Sequence, residues 1–100
     1  MRAEEFICLI DQDEIKRIAD SIGADIKIYP ISKDIRTNYM MDWIRIDIQF
    51  LGVYSHIDVL ANVYDFVSKD VMNDNIKRLI FSKLLDTCRD YLSSVFNFSE

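Results

Sequence analysis

Between residues 40 and 50 the chain reads MMDWIRIDIQF, and its apolar positions alternate with polar ones. Ile44, Ile46, Ile48 and Phe50 form one row, and Trp43, Arg45, Asp47 and Gln49 form the other. Side chains of a strand point to opposite faces with a period of two, so the first row predicts the inner face of a half-buried strand. The strand runs to about Phe50, and Gly52 breaks it. The segment ADIKIYPI, from Ala24, alternates in the same way, with Ile26 and Ile28 against Lys27 and Tyr29. Pro30 cannot donate a ladder hydrogen bond, so this second strand ends there or lies at a sheet edge. The polar stretch from 32 to 41 has no period and reads as a connecting loop.

Elsewhere the period changes to that of a helix. Ile15, Ile18, Ala19 and Ile22 recur at helical spacing. Asp11 followed by Glu14 has capping-box spacing, Ile10 can staple onto Ile15, and Gly23 supplies a left-handed C-terminal cap. Together they predict a helix over 12–22. Apolar residues at 76, 79, 80, 84, 88, 91, 92 and 95 form one continuous helical stripe and predict a long helix over 74–96. The preceding KDVMNDN is rich in poor helix formers and is expected to break the chain before that helix. Phe81, Leu85 and Phe96 widen the apolar arc of the last helix; burial against a neighbouring helix is the expected reason, with homodimer formation as the alternative.

Two segments admit two readings each. The apolar run EFICLI, residues 5–10, is compatible with a buried strand, the reading carried forward, or with a helix turn. In 53–59, Val53, Ser55, Ile57 and Val59 alternate with Tyr54, His56 and Asp58, as in a third strand. Ser55 with Asp58 also has capping spacing, and Ile57, Leu60, Ala61, Tyr64 and Val67 line one helical face. The helix enters the order of elements, and a third strand over 53–59 is the alternative. The order of elements predicts an α+β fold: a small, mainly antiparallel sheet of two to four strands with helices on one face, in a single two-layer domain over residues 1–100.

Composition narrows the function. Half of the 100 residues are hydrophobic, enough for one core, and no repeat or linker divides the chain. The net charge of −5 disfavours direct nucleic-acid binding, which needs clustered Lys and Arg, and favours a partner with a basic surface. No apolar run approaches a membrane span, and the N-terminus MRAEEFICLI lacks the flanks of a secretory signal. A cytoplasmic setting is expected, in the producing cell or an infected host. Cys8 and Cys88 each fall in an apolar run and are expected to be buried, reduced thiols, with a single bridge between them as the alternative.

Candidate chemistry is sparse. His56 is the one histidine and has no second ligand at metal spacing, so it reads as a cap or surface residue. Asp11 and Asp13 open like a calcium loop, but Lys16 stands where the loop needs glycine and Ile22 where it needs glutamate. Asp47-Ile48-Gln49 with Asp25 on the preceding strand matches the outline of a metal-dependent nuclease, in an acid-rich chain with no basic face. Two glycines 29 positions apart exclude a glycine-rich phosphate loop. The expectation is a non-enzyme without metal or cofactor.

What remains is the second row of the sheet. If helices cover the isoleucines, the opposite face presents Lys27, Tyr29, Trp43, Arg45, Asp47 and Gln49, with Arg36 and Tyr39 in the adjoining loop. Tyr, Trp and Arg concentrate at the energetic centres of protein interfaces. The competing reading is cross-strand packing alone, with Arg45 stacked on Trp43. The expectation is a small acidic binding protein, of the toxin-immunity or phage anti-defence kind, that blocks a partner's functional surface. Trp43 and Tyr29 would anchor it, and Asp47, Asp58 and Asp65 would pair with a basic rim. The alternative is a homodimeric structural or regulatory subunit.

Overall fold

The structure, a computed structural model, describes residues 1–33 and 41–96. Two helices, α1 (Ala3–Leu9) and α2 (Gln12–Ile22), lead into the antiparallel strands β1 (Asp25–Lys33), β2 (Met41–Phe50) and β3 (Val53–Leu60). A single 3₁₀ turn (Ala61–Tyr64) and the long helix α3 (Lys69–Phe96) follow. The strands form one sheet in the order β1-β2-β3, and the fold is the small α+β domain that the pattern predicts. Pro30 sits on β1, an edge strand, where its missing N–H leaves the ladder intact. Among the described residues, no helix is long and apolar enough to cross a membrane.

The isoleucine row forms the floor of the core. Ile44, Ile46 and Ile48 are 0% exposed and pack in one core with Phe6 of α1, Ile10 of the α1–α2 connection, Ile15 of α2, and Met72, Ile76 and Ile80 of α3. Capping follows the prediction for α2: the Asp11 carboxylate accepts from Glu14 N at 3.4 Å, and Gly23 adopts φ 74° at the C-cap.

Several expectations are corrected. Residues 3–9 are helical, not a strand, because Ala3 and Phe6 bury on one side while Glu4 and Glu5 complement the positive end of the helix. Residues 53–60 are a strand, and the helix expected there shrinks to the 3₁₀ turn. The hairpin decides this outcome even though Ser55 Oγ is buried with no hydrogen-bond partner among the described residues. The segment KDVMNDN does not interrupt the chain but is the first part of α3. Ser68 Oγ accepts from Val71 N at 3.3 Å to start that helix, and Asn73 turns a poor helix former into a clamp. Its Nδ2 donates to Leu9 O and to Lys69 O, both at 3.0 Å, and its Oδ1 accepts from Asp11 N at 2.7 Å. Lys77 Nζ reaches Glu14 Oε2 at 2.7 Å beside it. Cys8 is exposed and Cys88 half-buried, both as free thiols, so neither is the buried residue expected.

The β2–β3 connection consists of Leu51 and Gly52, between the paired residues Phe50 and Val53. Their φ values of 53° and 75° give two successive positive angles, as a type I′ turn needs. Leucine is costly there, since its Cβ crowds the backbone in the left-handed region. Leu51→Asn, at an exposed position, is expected to raise stability by about 0.5–1 kcal/mol, read as a higher urea midpoint at unchanged slope. An unchanged or lower midpoint would remove the strain argument.

Candidate functional site

The row opposite the isoleucines extends across all three strands as four rungs. The register places Ile31, Trp43 and Leu60 side by side, then Tyr29, Arg45 and Asp58, then Lys27, Asp47 and His56, then Asp25, Gln49 and Tyr54. None of these side chains belongs to the core under the helices. Trp43, Arg45, Asp47 and Asp58 are half-buried, whereas Asp25, Lys27, Gln49, Tyr54 and His56 are exposed.

Two polar groupings tie the rungs together. Arg45 donates from Nε to Asp58 Oδ1 at 2.8 Å and from Nη2 to Asp58 Oδ2 at 3.1 Å, the two-pronged geometry that fixes a guanidinium plane. The side chains are 30% and 13% exposed, so the pair is only partly open to water. One rung along, Asp47 accepts from Tyr29 Oη at 2.7 Å and from Tyr54 Oη at 2.6 Å, one hydroxyl on each carboxylate oxygen. Tyr29 and Tyr54 flank Asp47 diagonally from opposite strands, which is within the reach of a tyrosine.

These contacts shift the groups in a consistent way. The hydrogen bond to Asp58 raises Arg45 above its usual range, against the opposing effect of burial, so its charge is fixed. Burial pushes the Asp47 carboxyl up, but the Tyr54 and Tyr29 hydroxyls, with the charges of Arg45 and His56, outweigh it and hold Asp47 below the ordinary value of 3.8. The hydrogen bond to the Asp47 carboxylate is the main cause that raises both tyrosines above 10.0. A carboxyl lowered in the folded state stabilises above its unfolded pKa, and that stability is lost as pH falls through the folded value. A tyrosine raised in the folded state stabilises below its unfolded pKa, and that stability is lost as pH rises through the folded value. The contribution of this network is therefore expected to be flat between the two limits, to fade below pH 3.8, and to fade again above pH 10.0. Comparing thermal midpoints of wild type and Asp47→Asn across that range checks the sign: their difference should shrink on the acid side. A difference that grew toward acid would contradict the assignment.

Of the residues expected at the site, Tyr29, Trp43, Arg45, Asp47, Gln49 and Asp58 come together on this face. Asp65 does not: it follows the 3₁₀ turn and takes an ion pair from the N-terminal ammonium of Met1. Arg36 and Tyr39 lie outside the described residues. The pairing of Asp58 with Arg45, and of Asp47 with two hydroxyls, also engages those acids within the face. Tyr54 is the member that sequence reasoning missed. Its signal was the alternation of 53–59, which puts Tyr54, His56 and Asp58 in one row once the segment is a strand.

The face presents the rings of Tyr29, Trp43 and Tyr54 beside the paired charges of Arg45 and Asp58. Asp25 lies across from Gln49, and each oxygen of Asp47 accepts one hydroxyl hydrogen. Among the described residues, no group of three His, Cys, Asp or Glu side chains could hold a metal ion. On the helical side, a cleft of about 680 Å³ between α2 and α3 gathers Asp11, Asp13, Glu14, Asp70 and Asp74 beside Lys69 and Lys77. Most of those acids stand in the first turns of α2 and α3, where the helix dipole favours negative charge. No protein-family model, curated protein or solved structure matches the chain, so its function rests on this geometry.

Proposed function

We propose that the protein is a small acidic binding protein that acts by covering the functional surface of a partner protein, as toxin-immunity and anti-defence inhibitors do. The observation that supports this reading is the pre-ordered outer face of the sheet. Trp43, Tyr29, Tyr54 and Arg45 are the residue types that dominate interface energies. Two of the tyrosines and the arginine are already held by Asp47 and Asp58, so little rotamer freedom is left to lose on contact. Because those acids are engaged internally, contact energy comes from the ring faces. The net charge of −5 then draws in a basic partner over a longer range.

The test is affinity capture from cells that produce the protein, with chemical crosslinking and mass spectrometry to locate the contact. Wild type is compared with Trp43→Ala, with folding checked by circular dichroism. A single partner whose own activity falls on binding, with crosslinks on β1–β3 and an affinity about 30-fold weaker for Trp43→Ala, is the expected result. A folded Trp43→Ala variant that holds the partner as tightly, or crosslinks confined to the helices, would overturn the reading.

A further inference from the structure

The far half of α3 carries an apolar surface that the core does not use. The helix has 28 residues, about 42 Å at 1.5 Å per residue, whereas a ten-residue strand such as β2 spans about 33 Å. Its buried positions are Met72, Asn73, Ile76, Ile80 and Thr87; beyond Thr87 no described residue is buried. Yet Phe81, Leu85, Leu92 and Val95 remain apolar at 65%, 55%, 46% and 54% exposure. Expected as core, these positions instead face outward.

Their arrangement identifies what fits them. Phe81, Leu84, Cys88, Tyr91 and Val95 follow one another at alternating steps of three and four, the spacing of a coiled-coil seam, with Leu85 and Leu92 alongside. The pattern also reads the same in both directions about Cys88. Phe81 mirrors Val95, Leu84 mirrors Leu92, Leu85 mirrors Tyr91, Ser82 mirrors Ser94 and Asp86 mirrors Asp90. An antiparallel pair centred on Cys88 therefore sets apolar positions of one copy against apolar positions of the other, with each contact made twice as in an isologous interface.

A second feature agrees. Near the middle of α3, Phe81, Leu84 and Leu85 meet Ile15, Ile18 and Ile22 of α2 around an apolar groove of about 490 Å³. In an antiparallel pair centred on Cys88, residues 92–95 of one copy lie beside residues 81–84 of the other. The overhanging end of each helix then fills the groove of its partner. Each aromatic residue there offers on the order of 100 Å² when half to two-thirds exposed, so the side presents several hundred Å² per copy. That is comparable with the largest apolar patch of a typical monomer, which is often functional, and the exposed Ile18 and Ile22 beside it extend it toward the roughly 800 Å² per partner of a stable interface.

We propose that the protein forms a twofold dimer through antiparallel pairing of α3 about Cys88, with Leu92 and Val95 of each copy seated against Ile18, Ile22, Phe81 and Leu84 of the other. The dimer lies on the helical side, so both outer sheet faces remain available. The inference therefore stands apart from the partner-binding reading: loss of the dimer and loss of the partner are read on different variants.

Light scattering coupled to size exclusion, over a concentration series, is expected to give twice the 11.8 kDa chain mass. Leu85→Lys with Leu92→Lys is expected to return the monomer mass, raising the dimer dissociation constant at least about a hundredfold, with an unchanged circular dichroism spectrum since both residues lie outside the core. Orientation is tested in a background without native cysteines. A mixture of Ser82→Cys and Ser94→Cys chains should be joined between unlike copies by a short bis-maleimide, and each variant alone much less. A monomer at all concentrations, a dimer indifferent to the two lysines, or crosslinking that favours like copies would each overturn the proposal.

Discussion

Asn73→Ala is expected to destabilise the protein by about 2–3 kcal/mol, more than its small size suggests. The side chain is 8% exposed and holds three backbone groups at once: the Asp11 N–H, the Leu9 carbonyl and the Lys69 carbonyl. Alanine leaves all three without this partner in a partly buried place, at about 1–3 kcal/mol for each group that water cannot reach. The better helix propensity of alanine returns only about 0.6 kcal/mol. Chemical denaturation measures the total, and hydrogen exchange at the Asp11 amide locates it. Protection of that amide should fall in the variant even under conditions where the core amides stay protected. A variant within 0.5 kcal/mol of wild type, or with an equally protected Asp11 amide, would show that the junction of α1 and α2 is held by packing instead.

Ile46→Ala should cost still more, about 3–4 kcal/mol, from the lost transfer energy plus the cavity left behind. Ile46 is 0% exposed at the centre of the middle strand, between Ile28 and Ile57 in the register, with helices above it. A central strand with neighbours on both sides cannot shift to close the void. Gln49→Ala, exposed on the opposite row of the same strand, should stay within about 0.5 kcal/mol. The contrast between the two rows tests the orientation of the sheet directly. Similar losses at both positions would mean that the outer row is also packed.

Legibility of the fold followed the strength of the local signal. α2 was read to the residue because cap, periodicity and Gly23 all agreed. β1 and β2 were read from alternation, which survives burial on one face alone. The first seven helical residues were missed because a run as short as EFICLI contains less than two turns and shows no period. In 53–60 a strand pattern and a capping pattern coexist, and the hairpin turn at Leu51 and Gly52 decides between them by bringing Val53 against Phe50. The site was legible as a row, since Trp43, Arg45, Asp47 and Gln49 had to share a face. Its internal bonding was not. That Arg45 binds Asp58, and that Asp47 binds Tyr29 and Tyr54, depends on which residues lie across from one another, and a one-residue slip would change every pair.

By itself, then, the sequence determined which residues could share a face: the isoleucine row, the helix over 12–22, and the stripe along the last helix. These follow from periods of 2.0 and 3.6, which are properties of a single backbone. The tertiary structure alone decided where those faces lead. It ended the core at the middle of α3, so that Phe81, Leu85 and Leu92 remain outside, because the sheet is shorter than the helix laid across it. It also made Asn73 a clamp instead of a helix breaker, because Leu9 and Asp11, more than sixty residues away in the chain, arrive with backbone groups that need a partner.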